Sequence, residues 1–470
     1  MEGLESGFRA CARQRSFRFV WLSQIFSQIG DRTLFFSVAL LAYHLSHQST
    51  AVALTVFVYT VPSLGLSPIA GVLVDRRDKR SVMVWSHIAR VVFIALIPVA
   101  HAVVLPWPPL WSVLALTFAF ASVGQFFAPA EAAMIPATLP RNLLLTANSL
   151  VISVMLLSVV IGGTFAPIAT GISLYLPYWL AAGAFVVATV MALRISIPRA
   201  AAREARSGGQ LTQVRRELSE GWRFIHGQSL LQFSVLQVGL LTLVLYMLFI
   251  LAPAYIQTVI GLPSTDAWVI LLPAMAGTLA SAATLGQFGH QLDRAKLLVG
   301  GLGSAGITLV GLSLVPLAIR HDPALAGSTV AVAVAFSLAL GVEFGTLLIP
   351  AFSTIMESTD DHVRARVFGF VLLVVNGAST FPVLIGGILA DRLGVYTVMG
   401  GLGVLVGLTG LLVMFWQRSG HLDLQGHPAG QHQSAAAAHP PGPGAQTDPG
   451  QPVQLAALPK ASPQDQDDSP

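Results

Sequence analysis

Of the 470 residues, 54% are hydrophobic and 10% charged, and a mean hydropathy of +0.71 excludes a soluble globule. Many charge-free runs exceed the roughly 18 residues that suggest a membrane-crossing helix, and they are continuous where barrel strands would alternate, so the spanning element is the α-helix. The net charge of +4 therefore bears on membrane topology and not on nucleic acid, and the lone Cys11 allows no intramolecular disulfide.

In chain order, Arg9, Arg13, Arg15 and Arg18 precede or open a first span expected at 17–44. That segment is longer than a signal-peptide core and carries Gln24, Gln28 and Asp31, so it reads as a retained helix. His47-Gln48-Ser49-Thr50 turns into a second span, uncharged from Ala51 to Val74. A burst of charge ends it, in the stretch Gly71-Val72-Leu73-Val74-Asp75-Arg76-Arg77-Asp78-Lys79-Arg80. Spans three to six are expected at 81–104, 110–134, 146–171 and 177–196. Seven Arg lie between Arg194 and Arg223 beside Glu204, Glu217 and Glu220, marking a linker. Within it Leu211, Val214, Leu218, Trp222 and Phe224 recur at roughly helical spacing, as in a helix lying on the inner membrane surface or a solvated linker helix. Spans seven to twelve follow at 229–258, 265–288, 297–319, 328–352, 367–390 and 393–416. After Arg418 the chain is rich in Ala, Pro, Gly, Gln and Asp, and is expected to be disordered. Its four His fit no ordered metal site.

The expected organisation is thus an all-α membrane protein. It comprises a cytoplasmic segment 1–16, a six-helix half 17–196, a linker 197–228, a second six-helix half 229–418 and a tail 419–470. With these boundaries 22 of the 26 Lys and Arg fall on one side, so that side is inner and both termini are cytoplasmic.

The halves echo each other. Gly71, Asp75 and Arg76 return as Gly289, Asp293 and Arg294, and Pro129-Ala130 as Pro350-Ala351. A loop of this form resembles motif A of the major facilitator superfamily, between helices 2 and 3 and again between helices 8 and 9, and the resemblance covers 15–418. Asp78 stands where the family usually has Gly. The resemblance implies twelve helices in two pseudo-symmetric halves, a midplane substrate site and alternating access by rocking. It also implies that Gly71 lets helix 2 approach helix 11, that Asp75 sits on the positive end of that helix, and that Arg76 and Arg80 complete a gate network.

Gln24, Ser27, Gln28 and Asp31 share one face of the first span, expected to line the cavity. Asp31 lies about 21 Å along the helix, where a carboxylate is costly unless paired or protonated, so it is the first candidate for proton coupling. The alternative is a structural ion pair, with Arg90 as the partner. Glu343, flanked by Gly341 and Gly345, is the acid within a span of the second half and is also expected to face the cavity. Glu131 is expected to reach cytoplasmic water. Gly162, Ala166, Pro167 and Gly171 lie in a stretch that resembles a degraded motif C of drug antiporters, with Ala166 and Thr170 in place of two glycines. Ile135-Pro136-Ala137-Thr138-Leu139-Pro140 and Ser27-Gln28-Ile29-Gly30-Asp31 are similar to the bacterial branch of macrolide and siderophore exporters.

The expected function is proton-coupled export of small amphipathic or lipophilic compounds across the bacterial inner membrane by a monomer in contact with membrane lipids. No cofactor beyond the proton gradient, no metal and no nucleic-acid partner is expected, and no phosphate loop or soluble catalytic domain points to an enzyme. A lysophospholipid-type flippase and a non-transporting receptor or scaffold are the alternatives.

Overall fold

The computed structural model describes residues 2–103, 110–196, 219–289, 292, 294–359 and 361–419. Every regular element among them is helical. A short helix α1 (Glu2–Arg13) precedes the spans. The first six spans are α2 (Arg15–Ser46), α3 with α4 (Ser49–Gly65 and Ser67–Asp75), α5 (Lys79–Val103), α6 (Leu110–Thr138), α7 (Leu144–Ile172) and α8 (Leu176–Leu193). The second six are α9 (Ser229–Tyr255), α10 (Trp268–Phe288), α11 (Arg294–His321), α12 (Thr329–Glu357), α13 (Asp361–Leu393) and α14 (Val395–Arg418). Among the described residues eleven single helices are long and apolar enough to cross a membrane, and the bent α3–α4 pair, taken as one span, makes twelve.

The break in the second span departs from the expected continuous helix. Its two pieces meet at 56°. Pro68, near the start of α4, has no amide hydrogen to give the preceding turn, and Pro62 and Gly65 weaken the helix before it. At the end of α2, His47 takes the left-handed conformation (φ 53°) and its N–H closes the last turn on Tyr43 O at 2.7 Å.

The packing repeats between the halves. In the first, α2 packs on α7 and α8, α5 on α6 and α8, and α3 and α4 on α6; in the second, α9 packs on α13 and α14, α11 on α12 and α14, and α10 on α12. The two most extensive helix pairs that cross between the halves are α3 on α13 and α7 on α10, which are counterparts under the same repeat, and α9 adds smaller contacts with α2 and α3. The largest buried apolar cluster runs through both halves, joining Phe35, Phe36 and Val56 to Leu241, Ile250 and Val383. Large apolar side chains such as Trp111, Ile172, Ile307 and Phe415 face outward, as a surface solvated by lipid tails requires.

Helix α1 lies within the segment 1–16, for which the sequence pattern gives no span. It packs on α2 and α7, and Cys11 is fully buried with its Sγ against Leu143 O at 3.8 Å. Burial pushes the Cys11 thiol up from its ordinary value. Of the linker, 219–226 is helical, with Ile225 buried among Leu231, Val235 and Val367, and Trp222 stacked on His226. Leu211, Val214 and Leu218, like the tail from 420, lie outside the described residues.

Candidate functional site

Asp31 accepts a hydrogen bond from Tyr59 Oη at 2.5 Å, tying α2 to α3. Arg32 is close enough for its charge to act on Asp31, Tyr59 and Tyr246 of α9, while its Nε is buried with no hydrogen-bond partner among the described residues. Around this polar group lies an aromatic cluster that crosses between the halves. Phe35 stacks on Phe249 of α9 at 4.8 Å, meets Tyr59 edge-on at 4.8 Å and Tyr246 at 6.3 Å, and Phe36 meets Phe249 at 5.1 Å. An acid, a base, two phenols and three phenylalanines therefore meet where the first, second and seventh spans converge.

Arg90 is not the partner of Asp31. It is buried, and its guanidinium lies over Phe120, Phe127 and Phe185 at 5.0, 5.5 and 5.3 Å from the ring centres. Gly124 makes room for it, because a Cβ there would strike Nη2. Cation–π attraction of this kind is worth about 2 kcal/mol when desolvated, which favours the aromatic cage over a distant carboxylate. Nearby, His87 takes part in a hydrogen bond with Ser23 Oγ at 3.1 Å and packs on Phe127 at 4.7 Å. Glu131 does not reach open water as expected, for it is buried and its Oε1 has no partner among the described residues.

The shared face of the first span is covered more than expected. Gln24 and Ser27 are each 1% exposed, and only Gln28 and Asp31 keep partial access. Glu343 accepts from Thr308 Oγ1 of α11 at 2.9 Å and so turns into its own half. The glycines beside it face the other way: a Cβ on Gly341 would strike the Ala274 backbone and one on Gly345 would strike Ser281, so both serve the close contact of α12 with α10.

The motif C-like stretch has a comparable task. A Cβ on Gly162 would come within 2.5 Å of Arg32 Cβ and 2.8 Å of its carbonyl carbon, so this glycine lets α7 lie directly on the α2 backbone beside Asp31. Gly163 gives the same access to Phe36 and to Met275 of α10. Ala166 and Pro167 are buried, Thr170 Oγ1 bonds back to Ala166 O at 2.7 Å, and Gly171 stands next to Thr265.

The motif loop stands open. Nothing lies within 4 Å of a Cβ on Gly71, and Asp75 is exposed, with its backbone oxygen accepting from Lys79 Nζ at 2.6 Å. Arg76 is exposed, and Arg80 donates to Leu193 O at the negative end of α8. The expected network of Asp75, Arg76 and Arg80 is thus absent among the described residues, and Arg80 instead serves the end of α8. Asp78 has its own reason to be acidic: it caps α5 by accepting from Ser81 N at 2.9 Å and Ser81 Oγ at 2.6 Å. Those bonds hold its carboxyl below the usual range. In the second copy Gly289 makes only ordinary contact with Leu285, Arg294 opens α11, and Asp293 lies outside the described residues.

A family model for the Major Facilitator Superfamily matches residues 20–382. The chain belongs to the major facilitator superfamily. It is 26% identical over 400 residues to an uncharacterized MFS-type transporter, YfiS, of Bacillus subtilis, covering 83% of this chain and 91% of that protein. It is 28% identical over 383 residues to the multidrug efflux pump Tap of Mycolicibacterium fortuitum, covering 78% and 88%. Among solved structures, the nucleoside transporter NupG superposes with a TM-score of 0.64 at 10% identity, covering 86% of this chain and 99% of that one. A bacterial homologue of the human lysosomal transporter Spinster gives 0.62 at 14% identity, covering 86% and 97%. The protein is a multi-pass membrane protein of a transporter family, and its relatives are transporters, not enzymes.

Proposed function

We propose that this superfamily member is a proton-coupled exporter of small amphipathic or lipophilic compounds, acting as a monomer in the bacterial inner membrane with both termini cytoplasmic. The proton gradient is its energy source, and it uses no other cofactor and no nucleic-acid partner. The observation that carries the reading is the Tyr59–Asp31 hydrogen bond at 2.5 Å, set in aromatic contacts that link the first and seventh spans. An ionised Asp31 accepts strongly from Tyr59, whereas a protonated one loses the charge that strengthens the bond. Proton arrival would loosen α2 from α3 next to the rings that join the halves, so occupancy of one carboxyl biases their relative position. The aromatic walls favour lipophilic cargo, and the efflux function of Tap supports the outward direction.

The test is uphill efflux of a lipophilic dye from cells, with and without a protonophore, beside downhill dye exchange in proteoliposomes. Uphill efflux should need Asp31 and the gradient, and downhill exchange neither. A lipid flippase is the second reading, favoured by an apolar groove along α2, α7 and α8 lined by Ile29, Thr33, Ile161, Phe165 and Leu180. Gradient-independent movement of a fluorescent lysophospholipid, with no dye efflux, would select it.

A further inference from the structure

The pattern Gly-x-x-x-Asp-Arg occurs a third time, as Gly387-Ile388-Leu389-Ala390-Asp391-Arg392, at the far end of α13 from its start near the motif loop's side. There, both of its key residues are engaged. Asp391 Oδ1 accepts from Ser49 N at 2.7 Å and Oδ2 from Thr50 N at 2.8 Å. Ser49 and Thr50 are the first two residues of α3, and Gln48 before them offers no side-chain cap. The free amides of that helix start are therefore satisfied by a carboxylate from the other half, on the positive end of the helix. One turn back, a Cβ on Gly387 would lie 2.6 Å from Ala53 Cβ, 3.0 Å from Ser49 O and 3.2 Å from Thr50 Cα, so only glycine permits this approach. Deeper along the same pair, Thr60 Oγ1 and Thr380 Oγ1 are 2.9 Å apart and Phe57 meets Phe381 at 5.8 Å. On the repeat offset that relates Pro129 to Pro350, Gly387 and Asp391 fall on Ala166 and Thr170 of the motif C-like stretch, in the helix that makes the other cross-half contact.

We propose that Gly387 and Asp391 form a clasp that closes the end of the carrier opposite the motif loop, and that it must release α3 before the Gly71–Asp75 end of the same span can engage. The two signatures then do one job at the two ends of one helix pair. In this structure the clasp is made while Gly71 faces open space and Asp75 is exposed, and the 56° bend at Leu66 carries α4 away from the line of α3. Asp391 is a positioning residue for alternating access and touches no substrate.

This inference rests on the alternating-access reading, but its first test needs neither substrate nor gradient. In a Cys11→Ser background, spin labels at His47 and Tyr396 report the clasp end, and labels at Arg77 and Glu357 report the motif end. Asp391→Ala and Gly387→Leu should each give the clasp-end pair a longer-distance population while the motif-end pair shortens, shifting the ratio of states by about tenfold or more, the scale of a lost hydrogen bond to a charged group. An unchanged clasp-end distribution in both variants overturns the proposal, as does lengthening at both ends together. Where neither variant accumulates in the membrane, the pair Thr60→Cys and Thr380→Cys decides instead. Oxidation should lock the clasp end and stop dye transport, and reduction should restore it; full transport by the cross-linked protein overturns the clasp. Dye that fails to move even in the reduced protein would count against the export reading, and the spin-label distances in the milder Asp391→Asn then judge the clasp, an unchanged clasp-end distribution overturning it.

Discussion

Away from the helix ends, the first six spans carry Asp31, Arg32, His87, Arg90 and Glu131, whereas the described residues of the second six hold Glu343 alone. The contrast extends to what each acid touches. Asp31 is bonded to a tyrosine on a neighbouring helix inside a ring cluster that reaches the other half, while Glu343 is bonded to a threonine of its own half. Charged and titratable side chains within the spans are thus concentrated in the first half, and the second supplies aromatic wall and tight glycine packing. A pseudo-symmetric backbone does not imply a symmetric division of labour.

The sharpest way to break this contrast is to disturb the cage that holds Arg90. Gly124→Leu drives a side chain into the guanidinium, adding an overpacking cost of about 1–3 kcal/mol to the loss of the cation–π cage. Membrane abundance should collapse, whereas Gly183→Ala, with open space at its Cβ, should accumulate normally. Equal abundance of the two would mean that the cage contributes nothing to folding.

Next comes Tyr59→Phe, which removes the donor to Asp31 and keeps the ring. Uphill efflux should slow several-fold at matched abundance, with downhill exchange less affected, and an unchanged ratio of the two rates would detach Tyr59 from coupling. On the other side of the comparison, Glu343→Gln keeps an acceptor for Thr308 and should leave both transport modes within about twofold, as the loss of roughly 1 kcal/mol allows. The smallest effect is expected at Cys11. Its thiol is buried and held protonated, so maleimide should label it only slowly until the protein is denatured, and Cys11→Ser should transport normally.

Much of the architecture was legible because lipid imposes a plain rule: charge-free runs must be helices, and the loops between them collect the basic residues. The bend in the second span was less so, although Pro62, Gly65 and Pro68 stood in the sequence as its signal. At the site, Asp31 was legible as an acid in a span, but its partner was not, since nothing local links Tyr59 to it. Phe35, Tyr246 and Phe249 were missed for the same reason, being aromatic residues in apolar helices whose convergence is a property of packing. The partner of Arg90 was not legible because the sequence shows its charge but not the three phenylalanine rings that packing gathers around it. The pattern at Gly387 and Asp391 was visible all along. Its role was not legible, because the contact with Ser49 and Thr50 joins residues 342 and 341 positions apart in the chain.

The central claim is that coupling lies with Asp31 and not with Glu343, the acid within a span of the other half. Asp31→Asn and Glu343→Gln should be compared side by side at matched expression, measuring uphill dye efflux in cells and downhill dye exchange in proteoliposomes. The account predicts that Asp31→Asn loses uphill efflux and keeps downhill exchange, while Glu343→Gln keeps both. Uphill efflux that survives in Asp31→Asn, or that fails selectively in Glu343→Gln, would contradict it.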